Sequence, residues 1–408
     1  MRVFCWIEIG TKGVLFSNCL RYRFTKKVKM KISVSSKLLM MVVFVTTTMN
    51  MMATVWTVSN DPNRPAQYTA LQAAVDAASP NDTLLVTGST TQYYPGATIV
   101  KPLVIFGEGI EAGGTFPQTD IYGLTLGRFN SSLSASGTRV YGCKVYSLSI
   151  NSSFSGSSPS QQTMSNIIFE RCKVNYSYIY ANWNMSNLTF RNCLFSEYGG
   201  SNLYFMGSNS VGSCDPILGP YSNVIVTNCV FTGNYSGISG SGGLDMNGNL
   251  VVRNCLFLNN SYYSLYQLQE GVFENNIWYK AELLNSSNPY VTNCTFNNNL
   301  TYLCNVNTLP PANSIGSGNI VNQNPLFTTY PALGAEFAWA HNYALQAGSP
   351  ALGTGTNGTD IGINSGNAPV TQLHKYAKIP AVTALTIPVS SVPVGGTLQI
   401  NIQAVSRD

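Results

Sequence analysis

A six-residue phrase recurs along this chain: an aliphatic or aromatic residue, a polar residue, Asn, Cys, any residue, then a large apolar residue. It reads Phe190-Arg191-Asn192-Cys193-Leu194-Phe195, then Val226-Thr227-Asn228-Cys229-Val230-Phe231, then Val252-Arg253-Asn254-Cys255-Leu256-Phe257. Phe169-Glu170-Arg171-Cys172-Lys173-Val174 precedes them with Arg in place of Asn. Phe273-Glu274-Asn275-Asn276-Ile277-Trp278 and Val291-Thr292-Asn293-Cys294-Thr295-Phe296 follow. A unit of about twenty residues cannot bury its own apolar face, so each copy has to stack on the next, and the stack is a solenoid.

Offsets from the cysteine show what each position does. Three residues before it stand Val140, Phe169, Phe190, Val226, Val252, Phe273 and Val291; two after it stand Val145, Val174, Phe195, Phe231, Phe257, Trp278 and Phe296. Apolar residues alternating with polar ones mark strands with one buried face. The residue just before the cysteine is Asn in most copies, and Gly142 in a weaker upstream copy, Val140-Tyr141-Gly142-Cys143. Asn and Gly both tolerate the left-handed backbone region. A sharp corner between two strands is expected there, with stacked asparagines hydrogen-bonding along the axis. Arg171 departs from this rule. Glu170 stands one repeat from Arg191, and Arg253 one repeat from Glu274. Opposite charges on neighbouring rungs form cross-strand pairs worth about 0.2–1 kcal/mol each, which assigns these residues to structure rather than catalysis.

Of ten cysteines, Cys143, Cys172, Cys193, Cys229, Cys255 and Cys294 share the repeat position, so they read as a buried ladder of small apolar side chains rather than as disulfides. Cys214 and Cys304 lie off it. With no close cysteine pairs and only His341 and His374 besides, neither a metal site nor a cofactor is expected. The formal charge of +5 comes from the N-terminus, because nine of the 22 basic residues precede Thr54 with only Glu8 among the acids. Beyond it 13 basic residues face 16 acidic ones, a balance near −3 that leaves no basic patch for nucleic acid. Lys31, the apolar run Leu38-Leu39-Met40-Met41-Val42-Val43-Phe44-Val45 and the small Ala53 have the form of an export signal. That run is shorter than the roughly 20 residues a membrane span needs. Met30 therefore reads as the start, with 1–29 an over-extended reading frame, 30–53 a signal peptide, and the mature chain secreted or on the cell surface as a monomer.

Residues 66–78 carry the one convincing helical pattern, with Leu71, Ala74, Val75 and Ala78 on one face. Pro80-Asn81-Asp82 stops it and Thr83-Leu84-Leu85-Val86 begins the strands. A helix across the open end of a solenoid covers exposed edges and core, so it is expected as a cap. The stretches Leu71-Gln72-Ala73-Ala74-Val75-Asp76-Ala77-Ala78, Asn81-Asp82-Thr83-Leu84-Leu85-Val86 and Lys101-Pro102-Leu103-Val104-Ile105-Phe106-Gly107 resemble the opening of proteins of the pectate-lyase-like superfamily. Asn324-Pro325-Leu326-Phe327, followed by Tyr343-Ala344-Leu345-Gln346-Ala347-Gly348-Ser349-Pro350-Ala351-Leu352-Gly353, is similar to the way bacterial surface members end their coils. The resemblance covers roughly 55–365 and implies an all-β fold, a single-stranded right-handed parallel β-helix with an N-terminal capping helix. The β-helix is placed at 54–365 and a linker at 366–381. Residues 382–408, with alternating Leu398, Ile400, Ile402 and Ala404, resemble the first strands of a bacterial immunoglobulin-like module, though about 100 residues are needed to close one.

A further strand follows each Phe-ending strand. Taking Ile179, Leu203, Leu244, Leu265 and Leu283 as its inward residues puts Tyr178, Tyr180, Tyr204, Asp245, Tyr266 and Glu282 on its outer face. Loops at 207–223 and 232–242 are expected to wall a groove there. Tyrosines one rung apart, about 4.8 Å, suit an extended glycan, whereas rings that only stack on one another would stabilise a structural stalk. The superfamily's lyases imply clustered acidic Ca2+ ligands and an Arg or Lys base, and its hydrolases several close aspartates. This face offers only Asp245 and Glu282, about 10 Å apart on 4.8 Å rungs, against 6.5–9.5 Å for inverting carboxylate pairs. They are the weak catalytic candidates of a lyase or hydrolase alternative, and Asp215 stands alone. The reading favoured is a non-catalytic glycan-binding or adhesive surface. Asn-x-Ser/Thr triplets such as Asn187-Leu188-Thr189 coincide with strands, which disfavours glycan attachment.

Overall fold

A computed structural model describes residues 53–111, 117–127, 133–151, 163–180, 184–196, 201–206, 221–233, 236–259, 262–284, 291–330, 337–370, 381–386 and 401–405. Residues 1–52, which hold nearly all of the expected export signal, lie outside them, as do Cys214 and Asp215. Parallel strands stack coil on coil. One sheet runs from Val55–Val58 and Thr83–Val86 through Thr163–Glu170, Asn184–Arg191, Tyr221–Thr227 and Leu250–Arg253 to Thr295–Asn297. A second begins with Ala97–Ile99, Asp120–Leu126, Lys144–Asn151 and Lys173–Tyr180, and there it forks. From the first half of Lys173–Tyr180 one limb continues through Leu194–Ser196, Val230–Thr232, Leu256–Leu258, Ile277–Tyr279 and Leu300–Tyr302. From its second half the other limb continues through Leu203–Met206, Ile238–Asp245, Leu265–Gln269 and Val291–Thr292.

Inward residues stand level as the repeat requires. Phe169, Phe190, Val226, Val252, Phe273 and Phe296 share one register. Phe195, Phe231, Phe257 and Trp278 stack with ring centroids 4.6, 4.7 and 5.0 Å apart. The corners take the left-handed conformation at Gly142 (φ 62°), Asn192 (53°), Asn228 (53°), Asn254 (54°) and Asn275 (56°). Arg171 adopts it too, at 54°, against a steric cost of about 1–2 kcal/mol; the coil geometry overrides residue preference. Cys143, Cys172, Cys193, Cys229 and Cys255 are fully buried free thiols. Burial pushes the first four of these thiols well above the ordinary value.

The cysteine ladder departs from expectation at its end. Cys294 does not stack on the others. Asn276 takes the place after Cys255 and donates nothing to it; instead its Oδ1 accepts the Cys255 amide at 2.9 Å. Asn299 comes next, its Oδ1 accepting from the Asn276 amide at 2.9 Å and side chain at 3.1 Å, and Asn319 follows in the same way. Phe296 accordingly packs level with Phe273, in the other sheet from Trp278. Cys294 sits at a different corner, buried, its thiol raised to about 12 by burial. Cys304 is also a buried free thiol, donating to the Trp278 carbonyl at 3.3 Å. The corner asparagines form no ladder of their own, and Asn228 and Asn275 bind the C-terminal tail instead. An exposed amide ladder forms elsewhere, from Asn223 to Asn187 to Asn166 at 2.7 and 3.0 Å.

Among the ion pairs, Glu170–Arg191 forms. Arg253 and Glu274 stand in register, but the Thr356 hydroxyl donates to Glu274 Oε1 at 2.7 Å in place of that pair. The helix α1 spans Leu71–Ala77 with Leu71, Ala74 and Val75 buried against the first strands. Residues 66–70 are not helical, because Tyr68 exchanges backbone hydrogen bonds with Thr57 and Ser59 beside the edge strand. After the last coil the chain doubles back outside the solenoid. Phe327, Tyr343, Ala351, Ile361, Ile363 and Val370 cover the outward residues Leu194, Val230, Leu256, Ile277 and Leu300 of the first limb. The tail that was expected to finish the coils thus lies along their flank. Strands Ala381–Thr386 and Asn401–Val405 pair antiparallel in a sheet of their own.

Candidate functional site

The strand Lys173–Tyr180 turns three tyrosines outward, Tyr176, Tyr178 and Tyr180, because its inward positions are Val174, Ser177 and Ile179. Tyr178 stands level with Tyr204, and not Tyr180 as expected. Two residues of register separate the two readings: Ile179 pairs with Phe205, while Leu203 pairs with Ile238 and that residue with Leu265. Tyr204 is level with Ser239, and Ser239 with Tyr266.

Tyrosines the sequence reading passed over extend the face upstream. Ring contacts run from Tyr94 to Tyr122 (4.9 Å), Tyr146 (5.4 Å), Tyr176 (5.3 Å) and Tyr178 (5.9 Å), then to both Tyr180 and Tyr204 at 6.0 Å. Seven rings form one connected surface. Tyr94, Tyr122 and Tyr178 are exposed, at 75, 38 and 36 % of their area, while the others are half-buried among their neighbours. A second group, Tyr262, Tyr263 and Tyr266, joins with centroids 4.4 and 5.7 Å apart. Burial, and then the hydroxyls of Tyr178, Tyr180 and Tyr266, raise the Tyr204 phenol above its ordinary value. Burial and Tyr178 do the same for Tyr180. These phenols are neutral at physiological pH, so the face presents flat apolar rings edged by hydroxyls that both donate and accept.

The two carboxylates fall elsewhere. Asp245 lies past an irregularity in Ile238–Asp245 and stands level with Gln269, six positions along the strand from Ser239. Its Oδ1 accepts the Asn247 amide at 2.7 Å, which ties it into a turn. Glu282 accepts the Ser264 amide through its own carbonyl at 2.6 Å, which puts it at the opposite end of these strands, where its charge acts on Tyr263. The expected two-rung spacing is therefore corrected: the structure does not bring Asp245 and Glu282 together. The second half of the expected loop at 232–242 belongs to the strand Ile238–Asp245, and most of 207–223 lies outside the described residues. Among the described residues no three His, Cys, Asp or Glu side chains gather as a metal site, and no helix is long and apolar enough to cross a membrane.

Tyr94 and Tyr122 are legible as aromatics but belong to coils without the cysteine phrase, so no register links them to the row, whereas Tyr146 and Tyr176 follow Cys143 and Cys172 closely enough to be placed on it. A search among curated proteins finds no match to this chain. The sequence profile of a family described as right handed beta helix region matches residues 214–347, and with the parallel coils above it makes the fold a right-handed parallel β-helix.

Proposed function

We propose that this protein is a secreted or cell-surface β-helix that binds an extended glycan along its tyrosine face, without catalysis. The observation that carries this reading is the connected set of seven rings, from Tyr94 to Tyr204, three of them exposed to solvent. Tyrosine supplies wide contact area at low entropic cost, with two side-chain torsions to fix. A row extended over successive rungs matches a ligand that is itself extended. The separation of Asp245 from Glu282 supports a binding role over hydrolysis by that pair.

The test is retention of the full chain on an array of polysaccharides. Tyr178→Ala and Tyr204→Ala are expected to abolish retention and to leave thermal unfolding nearly unchanged. Loss of fold stability with no glycan retained by the unaltered chain would identify the rings as structural, as in a stalk. Accumulation of new reducing ends or unsaturated products, stopping with Asp245→Asn, would replace binding by depolymerisation.

A further inference from the structure

A cavity of about 310 Å³ opens on the outer side of the first sheet, away from the tyrosine face, where the tail folds back over the coils. Its floor is the outward column Arg191, Thr227, Arg253 and Glu274, each level with the next. The tail supplies its walls, with Thr356 on one side and residues 365–368 on the other. That wall is pressed against the coils: a Cβ on Gly366 would lie 2.0 Å from Asn254 Nδ2, and Asn228 Nδ2 donates to the carbonyls of Ile363 and Ser365 at 3.0 and 2.7 Å.

The charges on this floor do not cancel. Arg191 is shared with Glu170, a residue outside the cavity. Glu274 accepts the Thr356 hydroxyl, and Arg253 forms no ion pair among the described residues. Two guanidiniums thus stand two rungs apart, about 9.6 Å at the backbone, on either side of Thr227. Guanidinium forks match the planar or trigonal oxygens of a carboxylate or sulfate. The rest of the polar lining is hydroxyls and amides, with no aromatic ring on which a nucleobase could stack. Glu274 disfavours a dianion such as phosphate. The volume sits at the low end of small-molecule sites, about 300–1,000 Å³, room for one sugar ring.

We propose that this cavity binds a single anionic sugar residue, its carboxylate or sulfate held between Arg191 and Arg253. It is independent of the tyrosine face. Titration calorimetry on the full chain tests it with glucuronic acid and N-acetylglucosamine 6-sulfate as the two sources of the anion, glucose as the neutral ring and inorganic sulfate as the bare ion. One of the acidic sugars is expected to bind while glucose does not, and Arg253→Gln is expected to weaken that binding about tenfold or more. Raising salt from about 50 to 300 mM is expected to weaken it in the unaltered chain, a readout that needs no variant. Tyr178→Ala is expected to leave it unchanged. No binding of either acidic sugar, sulfate binding as tightly as the sugar, indifference to salt, or full affinity in a folded Arg253→Gln would overturn the proposal.

Discussion

The two limbs of the forked sheet start from one strand and end with opposite surfaces. On the first limb the outward residues are Leu194, Val230, Leu256, Ile277 and Leu300, all buried under the returning tail. Along the second, the outward column runs from Tyr178 on the shared strand to Tyr204, Ser239 and Tyr266, with Tyr178 and Tyr204 in ring contact and Tyr178 open to solvent. Upstream of the fork the first limb's column carries Lys144 and Lys173 instead. Lys144 is paired to Asp120 at 2.7 Å. The switch from lysine to leucine therefore marks where the tail begins to cover the coils. Inward residues are alike on both limbs because every coil closes around the same core. Outward residues differ because, among the described residues, the returning tail covers the first limb and not the second. An apolar outward column is a buried interface already filled, and an aromatic one is a surface still available.

The sharpest way to break that comparison is Leu256→Asp. Under the tail an unpaired carboxylate has no solvent and no partner, so a loss of about 4 kcal/mol or more is expected in thermal or denaturant unfolding. An unchanged midpoint would mean the tail does not cover this limb. Tyr330 offers a milder probe of the same cover. Burial, with Tyr279 beside it, pushes its phenol from 10.0 up to about 12. The neutral form is the one the fold favours, so its contribution is complete below pH 10.0 and is lost as pH rises through 10.0 towards about 12. Unfolding followed across that window is expected to show a steeper alkaline decline in the unaltered chain than in Tyr330→Phe, on the order of 1–2 kcal/mol after solvent screening. On the open face Tyr178→Ala is expected to cost least, about 0.5–1 kcal/mol of lost ring contact, read by the same unfolding measurement. A cost comparable to Leu256→Asp would erase the distinction between covered and open limbs.

Much of this was legible in the repeat. The inward phenylalanines, the left-handed corners and the buried thiols from Cys143 to Cys255 follow from spacing and residue type, because a coil that closes on itself leaves those positions no alternative. Cys294 was misread because its local phrase matches the pattern while its coil enters the stack five residues out of step, with Asn299 in the ladder. A motif match carries no register when insertions of unknown length lie between copies. The same ambiguity displaced Tyr204 by two residues and sent Asp245 to the far end of its strand. A signal for the tail was present and unused: the residue after the cysteine changes from Lys144 and Lys173 to Leu194, Val230 and Leu256. An apolar residue at an outward position predicts a cover, though not which segment supplies it.

By itself the sequence determined the coil: alternating burial, a corner residue that tolerates positive φ, and a repeat too short to fold alone compel stacking of like on like. Tertiary structure decided how the outside of the coils is arranged. Which outward column the tail would cover, which tyrosines would meet across rungs, and where Arg191 and Arg253 would face a wall all depend on register and on contacts between residues more than a hundred positions apart, such as Asn228 with Ile363 and Ser365. Local propensity carries no information about such pairings, because strands of equal pattern pair equally well until the whole stack chooses one alignment.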